Sequence, residues 1–558
     1  MNKLFLSAFL GLIGWANITA QTIVNITDAD IQAGQTVNWT KDNVYLLDGV
    51  VYVESGAVLN IQAGTVVKFT PRADVGNPSA LVIARGAKIY AEGSAAEPII
   101  FTAEEDDVNN PTDLGPADNA LWGGLVILGS GVTQKSGNSI VNVEGIPTTE
   151  PRGEYGGTDN ADNSGVLKYV SIRHGGRQIA AGNELNGLTL GAVGSGTTLD
   201  FVEIYANSDD GIEFFGGAPA LKHAVVAFAE DDSYDWDEVY SGKGQFWFSI
   251  QRSDVADAGG EFDGTTPDDL TPYSNPTLYN WTHIGSGAGA AAANPIGWNL
   301  RAGTAGTIAN SILTEQKGKL IEVQDKAAGI NDAYAKLVAG ELKILNNVLY
   351  RPGLSATMDA DATTGVIRVS SSAEDATASA LVSHLGTNNN TTFSPYLVSV
   401  SREQNEQLDP RACSVGSAYT TPMAPVPAGD AFFSAVNYKG AFSEDWADLW
   451  IRSWTALDRN NHLVNAPAAC AATGVDQVDL SQFIRIFPNP ARDVFMVSSS
   501  FEGSLNMEIM DMASRVLMQQ VDLNIGQPVQ INALAKGMYL VKFRNAAGET
   551  AVKKLIVE

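Results

Sequence analysis

The sequence predicts an all-β protein: a right-handed parallel β-helix followed by a small C-terminal immunoglobulin-like β-sandwich. Three observations predict it. Segments of one pattern recur at a 22-residue interval in mid-chain, glycine supplies 55 of the 558 residues with no Gly-X-Y period, and the composition changes abruptly near residue 475. A repeat in the low twenties, built of short alternating strands between Gly, Asn and Asp, is the length of one solenoid coil, which buries its inward residues only by stacking on neighbours. Abundant glycine without a collagen period reads as many turns between short strands.

At 44% hydrophobic and 18% charged the chain is too apolar for disorder, and its length implies two or three folded units. With 35 Lys+Arg against 63 Asp+Glu the net charge is −28. Such a surface repels phosphate backbones and anionic headgroups, which excludes nucleic acid as a partner.

Residues 1–20 have signal-peptide anatomy: a basic start at Lys3, an apolar run Leu4–Trp15, and a polar stretch ending at Ala20, with cleavage expected between Ala20 and Gln21. A membrane span needs about 20 apolar residues, more than this run offers, and no later stretch is long enough either. The mature chain is therefore expected to have no transmembrane span.

Residues 21–410 read as the solenoid, with flank insertions. Short apolar runs (Val50–Val53, Val58–Ile61, Val66–Phe69, Leu81–Ile83, Ile99–Phe101, Leu125–Leu128) alternate with Gly56, Gly64, Gly86 and Gly93, placed at corners where positive φ is needed. Leu167–His174, Leu199–Ala206 and Leu221–Phe228 superpose; Asp209–Phe214 aligns with Asp231–Trp236, and Val225–Phe228 with Trp247–Ile250, both at 22 residues. Val170, Val202, Ala224 and Ile172, Ile204, Val226 are the predicted core ladders. Further coils are expected at Thr277–Ile284, Trp298–Leu313 and Leu342–Leu349, and flank loops near 130–165, 251–276 and 352–410.

Residues 411–474 read as a cap or connection with a Pro-rich run, Thr421–Pro427. Helical spacing appears at Glu374–Leu385 and Glu444–Leu457. In the second, Trp446, Trp450 and Trp454 at i, i+4, i+8 predict one helical face closing the solenoid's end. Cys413 and Cys470, the two cysteines, are expected to form a disulfide in an exported protein, worth roughly 4 kcal/mol by loop-closure entropy.

Residues 475–558 carry 8 Lys+Arg, 9 Asp+Glu and six of the nine methionines, which marks a separate domain of short alternating strands. Ile486-Phe487-Pro488-Asn489-Pro490-Ala491, then Leu534–Leu540 (LAKGMYL), then Lys553-Lys554-Leu555-Ile556-Val557 are identified as the type A C-terminal sorting domain of the type IX secretion system of Bacteroidetes. That resemblance implies a sorting motif of Pro488, Asn489, Pro490, Gly537, Tyr539, Lys553 and Lys554. It also implies the type IX machinery as partner, removal of the tail, and a body that is extracellular or attached to the outer face of the outer membrane. The body, over roughly residues 45–465, resembles a group of large secreted β-helix proteins of Bacteroidetes, through Gly123–Gly129, Glu184–Thr198, Phe214–Gly217, Gly242–Phe246 and Phe432–Trp454.

The densest chemistry is acidic: Asp209, Asp210, Glu213, Glu230, Asp231, Asp232, Asp235, Asp237 and Glu238. At one strand spacing, about 5 Å, stacked like charges repel by ~3 kcal/mol at an effective dielectric of ~20. A Ca²⁺ ion on Asp209, Asp210, Asp231, Asp232, Asp235 and Asp237 would offset that; so would side chains that splay into water as turn aspartates. An enzymatic reading uses Asp209, Asp210, Asp231, Asp232 and His174 as catalytic candidates. Asn207–Gly211 is similar to the Asn-Thr-Asp and Asp-Asp signatures of polygalacturonases, and Arg173–Gly176 to their Gly-His-Gly, which implies glycoside hydrolysis by paired carboxylates. Here the acidic signatures are fused at one turn, and no Arg-x-Lys is evident. The five histidines, His174, His223, His283, His384 and His462, have no zinc-ligand spacing and are expected in structural hydrogen bonds. The reading of the whole is an exported binding, adhesive or structural surface component, with surface polysaccharide as a partner class; the alternative is a polysaccharide hydrolase or lyase.

Overall fold

The computed structural model describes residues 21–467, 470 and 484–558, except 73–77, 178–184, 266, 269, 293–294, 327–330, 353–357, 359–366, 371–373, 500–504, 512–514, 521–522, 524–525 and 546–549. Residues 1–20, where the leader and its cleavage point at Ala20 are expected, lie outside the described residues, as do residues 475–483.

The body is a parallel β-helix. One sheet stacks sixteen parallel strands; its central members are Gly165–Arg173, Thr198–Tyr205, Ala220–Ala227, Lys243–Ile250 and Thr277–Ile284. A second sheet stacks ten, from Val50–Val53 to Ile367–Ser370, and includes Leu188–Gly191, Ile212–Phe215, Tyr234–Asp237, Gly260–Asp263 and Trp298–Arg301. Both expected ladders form: Val170 pairs with Val202 and Ile172 with Ile204, then Val202 with Ala224 and Ile204 with Val226, all of them in the buried core.

The long strands bend at one left-handed residue each: Tyr169, Phe201, His223, Phe246 and Asn280, with φ of 49° to 59°. These residues drop out of the pairing register. Gly165–Arg173 therefore pairs on one side with two separate strands, Lys88–Glu92 and Ile99–Ala103, fusing two faces of the coil into one bent strand. A Phe or Tyr with φ > 0 is costly, and here the rings stack along the axis at 4.2 Å for Tyr169–Phe201 and Phe201–His223.

The step is 22 residues between Ala220 and Thr198 and between Tyr234 and Ile212, as expected. It is 23 between Lys243 and Ala220, so Val225 pairs with Phe248 and not with Trp247. The added residue lies in the corner Glu238–Gly242, one longer than Gly216–Pro219. Two expected loops also hold solenoid strands, Gly260–Asp263 within 251–276 and Ile367–Ser370 within 352–410. Their steps, lengthened by insertions, hide the repeat.

The expected helix at Glu374 is present as Glu374–Thr387, and with Ala333–Ala339 it sends Leu337, Leu381 and Leu385 into the core at the C-terminal coils. The Glu444–Leu457 helix is not: a 3₁₀ turn Trp446–Asp448 and a short helix Ala456–Arg459 are separated by Ser453 at φ 78°. Trp450 and Trp454 pack edge-on against the stacked rings of Phe201 and its neighbours, along the flank and not over the end. A buried latch fixes this strip: Glu203 accepts from the Ser171 hydroxyl (2.6 Å) and from the Ala456 (2.6 Å) and Leu457 (3.2 Å) amides at the N-terminus of Ala456–Arg459. Cys413 and Cys470 are joined, with Cα atoms 5.4 Å apart.

Residues 484–558 form two antiparallel sheets sharing one core, including Ile484, Phe495, Met507, Val541 and Leu555. One sheet holds Ile484–Phe487, Val494–Ser499 and Pro528–Gln530; the other holds Val516–Gln520, Leu505–Met510, Gly537–Asn545 and Thr550–Val557. Asn489, in the expected sorting motif, donates from its side-chain amide to the Lys554 carbonyl (2.6 Å) and accepts from the Ile556 amide (2.9 Å), tying the Pro488–Pro490 loop to the last strand. Gly537 opens the strand that pairs with it, and the Tyr539 hydroxyl donates to the Ala535 carbonyl at 2.7 Å. Among the described residues no helix is long and apolar enough to cross a membrane.

Candidate functional site

In strands of the second sheet, alternate residues point inward and outward. Ile212, Phe214, Tyr234, Trp236, Phe262 and Leu300 enter the core. The residues between them form outward rows: Glu213 pairs with Asp235, Asp235 with Glu261, and Glu261 with Asn299; beside them Asp263 pairs with Arg301. Over the earlier coils this outer face is apolar and covered. The insertion at 130–165 lays Val143, Ile146 and Tyr155 on Tyr52, Val82, Val126, Leu128 and Phe215. It is clamped at both ends. Arg152 pairs with Asp28 (2.9 Å) and Glu150 (2.8 Å) above the Tyr52 ring, and the buried Glu238 accepts from Thr133 and Tyr155 (2.7 Å each) and pairs with Lys135 (2.9 Å). The acidic rows begin where this flap ends.

The structure brings the sequence-predicted carboxylates together in overlapping groups. Oxygens of Asp209, Asp210 and Asp231 lie within 4.8 Å of one another, as do those of Asp210, Glu213 and Asp235 and those of Asp231, Asp232 and Asp257. The Asp232 amide donates to Asp210 Oδ1 (2.9 Å) and the Ala258 amide to Asp232. Asp235 Oδ1 is shielded from solvent with no hydrogen-bond donor among the described residues. Asp237 stands apart from these groups, at the far end of its strand. His174 does not join them: it is buried, its Nδ1 contacts the Asp118 carbonyl, and its ring edge meets Tyr205. Burial holds its pKa below the usual histidine range.

Burial, then like-charge neighbours, pushes Asp210, Glu213, Asp232 and Asp235 well above the usual carboxylate range. Asp237 is raised to about 7 by burial and by Asp263, and Glu261 to about 7 by burial, against the pull of Arg301. Arg301 bridges the rows, contacting Glu261 and donating to Asp263 at 2.7 Å. Glu144, on the flap, hydrogen-bonds Glu213, and the buried Asn186 donates to both. An all-carboxylate donor set suits a hard cation such as Ca²⁺.

Glu261, Asp263, Asp257 and Arg301 escaped the sequence pattern because the loop before Gly260 breaks the period. The alternation Gly260-Glu261-Phe262-Asp263, parallel to Tyr234-Asp235-Trp236-Asp237, was the available signal. Four histidines do serve structure as expected; His283, for one, contacts Ser249 (2.8 Å) and Gln316 (2.9 Å).

A family model described as a pectate-lyase-like β-helix domain matches residues 30–396, and one for the secretion system C-terminal sorting domain matches residues 485–558. No curated protein matches. Among solved structures, the chain is similar to PorZ, a bacterial surface component of the type IX secretion system of Porphyromonas gingivalis. The likeness is 20% identity over 15% of this chain and 13% of that one, with a TM-score of 0.13. The sorting domain indicates export to the cell surface or the medium and an interaction with the type IX machinery. By the match over most of its length, the chain belongs to the pectate-lyase-like β-helix family, with a secretion sorting domain at its C-terminal end.

Proposed function

We propose that the protein is a binding or adhesive component at the outer face of the cell, and that it engages its ligand along the acidic face of the second sheet, with Ca²⁺ held among Asp210, Glu213, Asp235 and the corner aspartates. One observation carries this reading: carboxylates recur in register over three consecutive coils where the flap stops. Surface polysaccharide is the ligand class in view, since rows at strand spacing offer a repeating contact to a linear polymer. Thermal unfolding of the mature chain with Ca²⁺ and with chelator tests it, alongside Asp210→Asn/Asp235→Asn. A rise in melting temperature with Ca²⁺ that the double variant loses supports the site; no response to Ca²⁺ sinks it.

A second reading, a polysaccharide-active enzyme, is favoured by Asp237 and Glu261. Carboxyls held at about 7 can give and take protons near neutral pH. Its test is release of sugar ends from neutral and acidic polysaccharides, lost in Glu261→Gln.

A further inference from the structure

The sorting domain's two sheets have four edges, and they are unequal. The edge strand Thr550–Val557 carries Lys553 and Lys554, and its C-terminal half is closed by the Pro488–Ala491 loop: besides the Asn489 contacts, the Ala491 amide donates to the Ile556 carbonyl (2.8 Å) and the Glu558 amide to the Ala491 carbonyl (2.9 Å). Pro528–Gln530 is three residues long and opens on a proline, and Ile484–Phe487 runs straight into Pro488. Val516–Gln520 differs. It pairs with Leu505–Met510 on one side and, among the described residues, with no strand on the other. It contains no charge and no proline, and Val516 and Leu517 are 51% and 48% exposed, Leu517 at a bulge in the ladder. Proteins ordinarily blunt such edges with Lys, Pro or a covering segment, because an open strand recruits another. The domain is also nearly neutral on a chain of net charge −28, which favours recognition through backbone and apolar contacts over charge.

We propose that the Val516–Gln520 edge is where the secretion machinery reads this domain, by laying an extended strand of its own along it and seating apolar side chains on Val516 and Leu517. The mode is strand addition, in which backbone bonds supply affinity and side-chain contacts supply choice. The proposal rests on residues 485–558 acting as the sorting domain.

The test expresses the full chain in a bacterium that carries the type IX machinery, and measures by immunoblot how much is exported and how much stays in the periplasm. The variants are Val516→Lys, Leu517→Lys and Gln519→Lys on the edge, with Val552→Lys, 49% exposed on the lysine-bearing edge strand Thr550–Val557, as control. Each of the first two is expected to cut the exported fraction at least tenfold and to accumulate in the periplasm with an unchanged melting temperature; Val552→Lys is exported like the parent chain. Gln519→Lys replaces an exposed polar residue, so its retention separates a blocked edge from a misfolded domain. Parental export of the edge variants overturns the proposal, and so does equal retention of Val552→Lys. A dimer of the purified full chain that Leu517→Lys dissolves would assign the edge to a second copy and overturn it too. Deletion of 485–558 separates the two readings: export that survives the deletion refutes the sorting role itself.

Discussion

Replacing Asp237 by Asn isolates the cost of a single carboxylate on the acidic face. The Asp237 carboxyl is raised from 3.8 to about 7, chiefly by burial and then by Asp263. A carboxyl whose folded value is raised contributes stability that is fully present below its unfolded value and is lost as pH rises through the folded one. At 1.36 kcal/mol per pH unit, the span from 3.8 to about 7 amounts to roughly 4 kcal/mol. Asn keeps an oxygen to accept from the Glu238 amide, as Asp237 does now, and carries no charge to desolvate. The variant is therefore expected to match the parent near pH 4 and to exceed it progressively, by about 4 kcal/mol near pH 8.5. Comparing the two chains at each pH cancels the titration of the shared groups that do not interact with Asp237; Asp263, Glu238 and Lys135, which do, remain in the difference. The assay is urea unfolding of the mature chain in chelator at four pH values, followed by tryptophan fluorescence, which reports on the buried Trp236, Trp247 and Trp281. A stability gain in Asp237→Asn that is absent at pH 8.5, or that is equal at all pH values, would refute the electrostatic account of the row.

Three further outcomes are expected. Gly165→Ala places a β-carbon 1.8 Å from the Ile89 carbonyl oxygen at φ +116°, so it should destabilise the solenoid by roughly 3 kcal/mol or more in urea titration. Glu203→Ala leaves the Ala456 and Leu457 amides without their acceptor in a buried site; the expected loss is about 3 kcal/mol, with early proteolytic cutting between residues 441 and 463 as the readout. Burial lowers His283 and His462 to about 4, so their contribution is present above about 6.5 and lost as pH falls toward 4. His283→Gln should accordingly flatten the acid side of the plot of melting temperature against pH.

The core was legible because inward residues obey a local rule. Leu167, Leu199 and Leu221 head repeats of one pattern, and the turn between the last two is short enough to keep the count. The bend residues were less so. Tyr169, Phe201 and His223 occupy one position of the superposed segments, yet their pattern of aromatic side chains says nothing of φ until the stacked neighbours are in place. Trp446, Trp450 and Trp454 had helical spacing without a helix, because Trp450 and Trp454 find their partners on the solenoid flank while Trp446 lies under the guanidinium groups of Arg411 and Arg452.

By itself the sequence determined the β-helix class, the inward ladders, the separate C-terminal domain with its export motif, and the acidic corner at Asp209–Asp210 and Asp231–Asp232. All of these are carried by composition, or by side chains close together in the chain. Only the tertiary structure decided which carboxylates share a face. Glu144 reaches Glu213 from an insertion, Asp257 meets Asp231 and Asp232 from a loop, and Arg301 crosses to Glu261 and Asp263 from the next coil of the sheet. The physical reason is that stacked coils bring residues within a strand spacing of each other whatever the length of chain between them. Loop length, free to vary on the flank, erases from the sequence the register that the hydrogen-bonded sheet restores in space.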